Sequence, residues 1–137
     1  MIPNLSYMSE RLNYNTGAKW ESIVGYSRAV RVGNVIEVSG TCAVDTDGNA
    51  FAAGDAYQQT RKILEIIAKA IESLGGTMDD VVRTRIFVTN IDNWMDAGKA
   101  HGEIFSSIRP VTTMVEVSRL ITPDFVVEIE ATAIVST

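Results

Sequence analysis

Three glutamates, Glu116, Glu128 and Glu130, alternate with apolar residues in the last quarter of the chain, Arg109 to Val135, RPVTTMVEVSRLITPDFVVEIEATAIV. A carboxylate in a partly apolar wall can hold or deprotonate a water, provided that burial tunes its pKa and the water lies within hydrogen-bond reach. Other chemistries are poorly provided for. The chain has one cysteine, Cys42, and one histidine, His101. Together they fall short of a Cys/His structural zinc site, and one cysteine leaves no internal disulfide. No base neighbours Cys42 in sequence, so no nucleophile stands out. A lone histidine on a helix is more often a packing or surface residue than a catalytic one.

Strand periodicity must position these carboxylates. Successive strand residues alternate faces, which puts Val127, Ile129, Ala131, Ala133 and Val135 on one side and Val126, Glu128, Glu130, Thr132 and Ile134 on the other. In the preceding strand Thr113, Val115 and Val117 form the apolar row, with Thr112, Met114 and Glu116 behind it. The expectation is that Glu116 and Glu128 share a sheet face. That face is too apolar for solvent and too charged for a dry core, which suggests an interface with a polar pocket.

Upstream, residues 29–32 and 35–39 flank Gly33-Asn34, a pair that tolerates the positive φ of a tight hairpin turn. A second turn is expected at residues 45–49. From about Asp55 to Leu74 apolar residues recur at helical spacing (Ile63, Ile66, Ile67, Ala70, Ile71), and Gly75-Gly76 supplies a stop. Residues 81–89 read as a strand. Asp92 is expected to cap a second helix running to about Phe105, weakened by Gly98 and Gly102. The order ββ(β)αβαββ implies an α+β fold, with helices on one face of a single mixed sheet and the other face left to find a partner. Residues 1–24 are expected to form an N-terminal arm and residues 25–137 one domain, with regular structure beginning near Tyr26.

Composition bounds the function. The chain has 137 residues, enough for one core but not comfortably for two, and 46% hydrophobic with 21% charged residues is ordinary for a folded protein. A net charge of −5 gives no basic footprint for nucleic acid. No segment reaches the apolar length of a membrane span, and the N-terminus lacks signal-peptide character, so a cytoplasmic, soluble protein is expected. No cofactor and no metal are expected.

Five segments in the right order resemble the RidA/YjgF family, also called L-PSP endoribonuclease-like or imine deaminase proteins. They are GYSRAVRVGNVIEVSGT from Gly25, QQTRKILEIIAKAIESLGG, VVRTRIFVTNIDNW, and RPVTTMVEVSRL with VEIEATA. The resemblance spans about 110 residues. It implies a chorismate-mutase-like fold, a homotrimer with a barrel-like centre, and pockets for a small carboxylate or imine at the subunit interfaces. In its deaminating branch, a glutamate matched by Glu128 positions water at an imine carbon, and residues matched by Tyr26 and Ser39 line the pocket. An arginine in a P-x-R segment holds the substrate carboxylate there by a two-pronged ion pair.

That arginine is absent. The matching segment is Pro110-Val111-Thr112, and Thr112 offers one neutral hydroxyl in its place. Arg109, Arg85, Arg28 and Arg119 are the cations available to replace it, with Arg119 matching a residue that makes a structural salt bridge in the family. Met114 stands where deaminating relatives often carry Cys, Gly98 where they carry Asn, and His101 where an aromatic is common. Glu116 and Glu130 are assigned to the interface network, and Trp20 and Trp94 to packing. Three readings follow: a diverged imine or enamine hydrolase, a trimer that binds a small metabolite without turnover, and, ranked last, a ribonuclease. Branches lacking the arginine generally lack the deaminase activity, which favours a different ligand.

Overall fold

The Gly33-Asn34 turn starts the sheet. The computed structural model describes residues 10–136. In it, β2 (Ala29–Val32) and β3 (Val35–Thr41) form the expected hairpin, and β1 (Arg11–Tyr14) adds to its outer edge. Regular structure therefore begins at Arg11 rather than near Tyr26, and a short helix, α1 (Lys19–Val24), lies between β1 and β2. The first nine residues of the expected arm lie outside the described residues. The turn at residues 45–49 closes on a bridge between Val44 and Ala50.

The long helix α2 (Ala56–Ser73) starts at Asp55, whose side chain accepts the Gln58 N–H at 2.9 Å. It ends where the sequence places a stop. Gly75 takes φ +90°, the Gly76 N–H bonds to the Ile71 carbonyl and the Gly75 N–H to the Glu72 carbonyl, the paired closure favoured by a left-handed glycine. Arg31 of β2 adds a cap from the sheet, donating to the Leu74 carbonyl at 2.8 Å.

β4 (Val81–Val88) leads through a 3-10 turn at Ile91–Asn93 into α3 (Trp94–Phe105). Asp92 is not its cap: the Asn90 side chain accepts the Asp92 N–H and organises the turn, and α3 starts with no side-chain cap. β5 (Val111–Glu116) and β6 (Val127–Ile134) complete one sheet in the order β1-β2-β3-β6-β4-β5. Every pairing is antiparallel except β4 with β5, which α3 connects as a crossover.

The two main helices cover one face. Ile63, Leu64, Ile67 and Ile71 of α2 are buried with Ile36, Val38, Ile86, Val88, Val127 and Ile129 of the sheet. Gln59 is buried among them and staples the segment before β6 to the helix. Its amide donates to the Asp124 carbonyl at 2.7 Å and accepts the Val126 N–H at 2.9 Å. Neither of these two helices covers the opposite face.

Candidate functional site

Glu128 stands half-buried near the start of β6, on the open face, opposite Phe87 of β4. Its carboxylate packs against Gly40, where an added Cβ would sit 2.7 Å from Oε2. The Cys42 thiol donates to its Oε1 at 3.2 Å. Burial, then the charge and hydrogen bond of Glu128, push the Cys42 pKa far up, with Arg28 opposing weakly. Cys42 therefore keeps its proton and is no nucleophile.

The β3 strand bulges between Val38 and Thr41, which turns Ser39, Gly40 and the start of the next loop towards this carboxylate. Arg28 crosses the bulge, donating to the Gly40 carbonyl at 2.7 Å and to Thr41 Oγ1 at 3.0 Å. The Tyr26 ring lies 5.6 Å from the Arg28 guanidinium. The Ser39 hydroxyl is spent on the Ser27 carbonyl at 2.7 Å. Four of the sequence candidates, Tyr26, Arg28, Ser39 and Glu128, thus gather at one end of the open face, with Cys42 added.

Thr112 and Met114 are not among them, which corrects the expected strand parity. β5 runs parallel to β4 in the register Thr84 with Thr112, Ile86 with Met114 and Val88 with Glu116. Thr84, Ile86 and Val88 are buried beneath the helices, so Thr112, Met114 and Glu116 lie on the helix-covered face, and Thr113 and Val115 lie on the open one. Met114 packs against the core, and Glu116 accepts the Ile91 N–H at 3.0 Å, fixing the turn before α3. Glu116 and Glu128 therefore do not share a face. The alternation misled because β5 is an edge strand, exposed along most of its length, and Thr, Met and Val suit either side.

Thr112 is instead the end of a chain of hydroxyls. Its Oγ1 lies 2.8 Å from Thr84 Oγ1, which lies 2.8 Å from His101 Nε2 of α3. Thr84 is fully buried, and the His101 ring packs on Phe105 with centroids 4.6 Å apart. Burial lowers the His101 pKa below its ordinary value. The part played by Thr84 escaped sequence reading, since one threonine in a strand gives no signal of the residues it will meet.

The remaining cations are placed as follows. Arg109 is exposed in the left-handed region at φ 57°, where it closes α3 through its N–H to the Phe105 carbonyl. Arg85 pairs with Glu130 at 3.2 Å on the open face. Arg119 is exposed, and the salt bridge expected for it is not formed among the described residues. A concavity of about 270 Å³ on the open face is bordered by Arg83, Arg85, Glu37, Glu130, Ser39 and Thr132. Trp20 and Trp94 are both largely exposed rather than packed. Among the described residues no group of three or more His, Cys, Asp or Glu side chains could hold a metal ion, and no helix is long and apolar enough to cross a membrane.

Comparison with known proteins gives a consistent neighbourhood. The family model described as Endoribonuclease L-PSP matches residues 16–135. An uncharacterised protein of Streptomyces coelicolor is 35% identical over 118 residues, covering 86% of this chain and 87% of that protein. A RutC family protein of Pyrococcus abyssi is 32% identical over 108 residues, covering 79% and 84%. Among solved structures, Rv2704 from Mycobacterium tuberculosis, described as a member of the YjgF/YER057c/UK114 family, superposes with a TM-score of 0.84 at 46% identity, covering 92% of this chain and all of that one.

Proposed function

The chain belongs to the endoribonuclease L-PSP family, the RidA/YjgF group, and from that premise we propose that it is a homotrimer binding a small carboxylate or imine metabolite between its subunits. One observation carries this reading: the candidate pocket residues fall into two groups on opposite faces of the sheet. Tyr26, Arg28, Ser39 and Glu128 stand with the open face, and Thr112 and Met114 with the helix-covered edge. Between Ser39 on β3 and Thr112 on β5 lie three inter-strand spacings, about 14 Å in all. A single chain cannot close both groups on one small ligand. Two chains meeting head to tail can, and a ring of such contacts repeats the pocket at every interface.

Exposed apolar residues support the same assembly. Val111, Val115 and Ile121 are 59%, 42% and 85% exposed around β5, beside an unpaired strand edge. Apolar side chains at a free edge invite a partner.

The chemistry favours binding over rapid turnover. Without an arginine at residue 112, the carboxylate loses a charge-assisted bidentate contact and meets a neutral hydroxyl. Slow hydrolysis of an imine or enamine carboxylate is the second reading, favoured by Glu128 standing beside a thiol that keeps its proton. Ribonuclease action ranks last, because the only histidine is tied to Thr84 rather than paired with a second acid or base.

The test follows 2-iminobutyrate hydrolysis in a coupled dehydratase assay with wild type, Thr112→Arg and Glu128→Gln. Slow or absent turnover in the wild type with a gain in Thr112→Arg is expected. Rapid wild-type turnover abolished by Glu128→Gln would replace the binding reading with the hydrolase.

A further inference from the structure

The two short links of the Thr112, Thr84 and His101 chain can run in either direction, and only one direction satisfies a third contact as well. A hydroxyl has one proton to donate, and a carbonyl oxygen can only accept. The Thr112 hydroxyl has a second contact, the Pro110 carbonyl at 3.4 Å, to which it must be the donor. In the direction that makes this bond too, Thr112 accepts from Thr84 at 2.8 Å. Thr84 has then spent its own, so it accepts from His101 Nε2, also at 2.8 Å. In that direction the imidazole carries its proton on Nε2, whereas the reverse direction requires the Nδ1–H tautomer and leaves the Pro110 contact unmade. Protonating the ring leaves that N–H in place, so the direction of the chain is the same for the neutral and the charged histidine.

The two inner links are short and their centre is fully buried, whereas the outer link is long and lies at the exposed edge strand. The outer link is the exchangeable one. A better acceptor than the Pro110 carbonyl, above all a carboxylate, would take the Thr112 proton without disturbing the two bonds behind it. Hydrogen bonds polarised in one direction also strengthen one another in a low-dielectric setting.

We infer that Thr112 is a committed hydrogen-bond donor to the carboxylate of a small ligand, and that His101 is the positioning residue that commits it, acting through Thr84. This rests on the intersubunit pocket proposed above. The relay occupies the place of the family's arginine and delivers one donor of fixed polarity, so it selects an anionic or strongly accepting group over a donor such as an ammonium.

The sole histidine makes the test clean. A long-range proton–nitrogen correlation spectrum reads its tautomer directly, and the expected result is the Nε2–H form. Titration with 2-oxobutyrate should then move the His101 ring nitrogens, while butanone, which lacks the carboxylate, should not. Thr84→Val keeps the shape and removes the relay, and His101→Phe keeps the packing on Phe105 and removes the donor. Each should weaken 2-oxobutyrate binding about threefold to tenfold, the worth of one ordinary hydrogen bond. His101→Gln, whose amide N–H can donate to Thr84, should recover most of the loss, which a purely structural role would not produce. Melting curves identify any variant that fails to fold, and the wild-type tautomer stands without variants. An Nδ1–H tautomer, or unchanged affinity in folded Thr84→Val, overturns the inference while leaving the pocket intact. Absence of any 2-oxobutyrate binding by the wild type overturns the pocket reading and the role of Thr112 with it.

Discussion

Glu128 is bounded by two neighbours that constrain different properties, with Arg28 fixing the bulge beside them. Gly40 gives its carboxylate room that no side chain would leave, the Cys42 thiol occupies one oxygen, and Arg28 spans the bulge nearby. The cost of this arrangement falls on Cys42, whose ionisation is opposed by burial and by the neighbouring negative charge. Replacing Glu128 by Gln removes that charge, so the thiolate fraction at pH 8 should rise and the only cysteine should be alkylated by iodoacetamide several-fold faster, as read by intact mass over time. Equal rates in the two proteins would mean that Glu128 does not control the thiol. Glu128 itself was legible from its place in an alternating strand. Cys42 was not, because its partner lies 86 residues away and the contact depends on a bulge that no local pattern announces.

The elements differ in how clearly the sequence specified them. The α2 helix was read nearly to its last residue, because a repeated apolar stripe and a glycine pair agree, and the structure adds Asp55 as its cap. Its C-terminal closure is correspondingly sensitive. In Gly75→Ala the new Cβ would adopt φ +90° and sit 2.8 Å from the Arg31 guanidinium that caps the helix. A loss of about 1–2 kcal/mol is expected from the left-handed backbone alone, measurable by urea unfolding, with the helix content of the folded protein unchanged. No loss would place the end of the helix elsewhere. The alternation of β6 was equally plain, since its inner row of Val127, Ile129, Ala131 and Ala133 is wholly buried. β5 had no such row. Its facing is decided by parallel pairing with β4 after Arg109 has turned the chain, and that long-range pairing moved Thr112 and Met114 to the side opposite Glu128.

At the scale of the molecule, the sheet offers two unlike surfaces to a partner. Its open face carries the Arg85–Glu130 pair, Arg83 and the carboxylate of Glu128, and its β5 edge carries exposed valines and the Thr112 hydroxyl. The sequence suggested an interface from the mixed character of the last two strands. What it placed on one face lies on two faces of one chain, and that separation is why the pocket is proposed between neighbouring subunits rather than within a single fold. The family likeness covers the fold, while the proposed relay of Thr112, Thr84 and His101 would distinguish the proposed pocket's chemistry from the one the likeness implies.

The central claim is that the Thr112 edge of one chain meets the Ser39 and Glu128 face of the next. The direct measurement uses a Cys42→Ser background in which Thr112→Cys and Ser39→Cys supply the only two thiols, treated with a short bis-maleimide linker and resolved by denaturing electrophoresis. Within one chain these positions lie on opposite sheet faces and three strand spacings apart, so an internal link is disfavoured. Covalent dimers and trimers, slowed by 2-oxobutyrate, are the predicted result; a product that remains one chain long, at concentrations where the protein is fully folded, would contradict it.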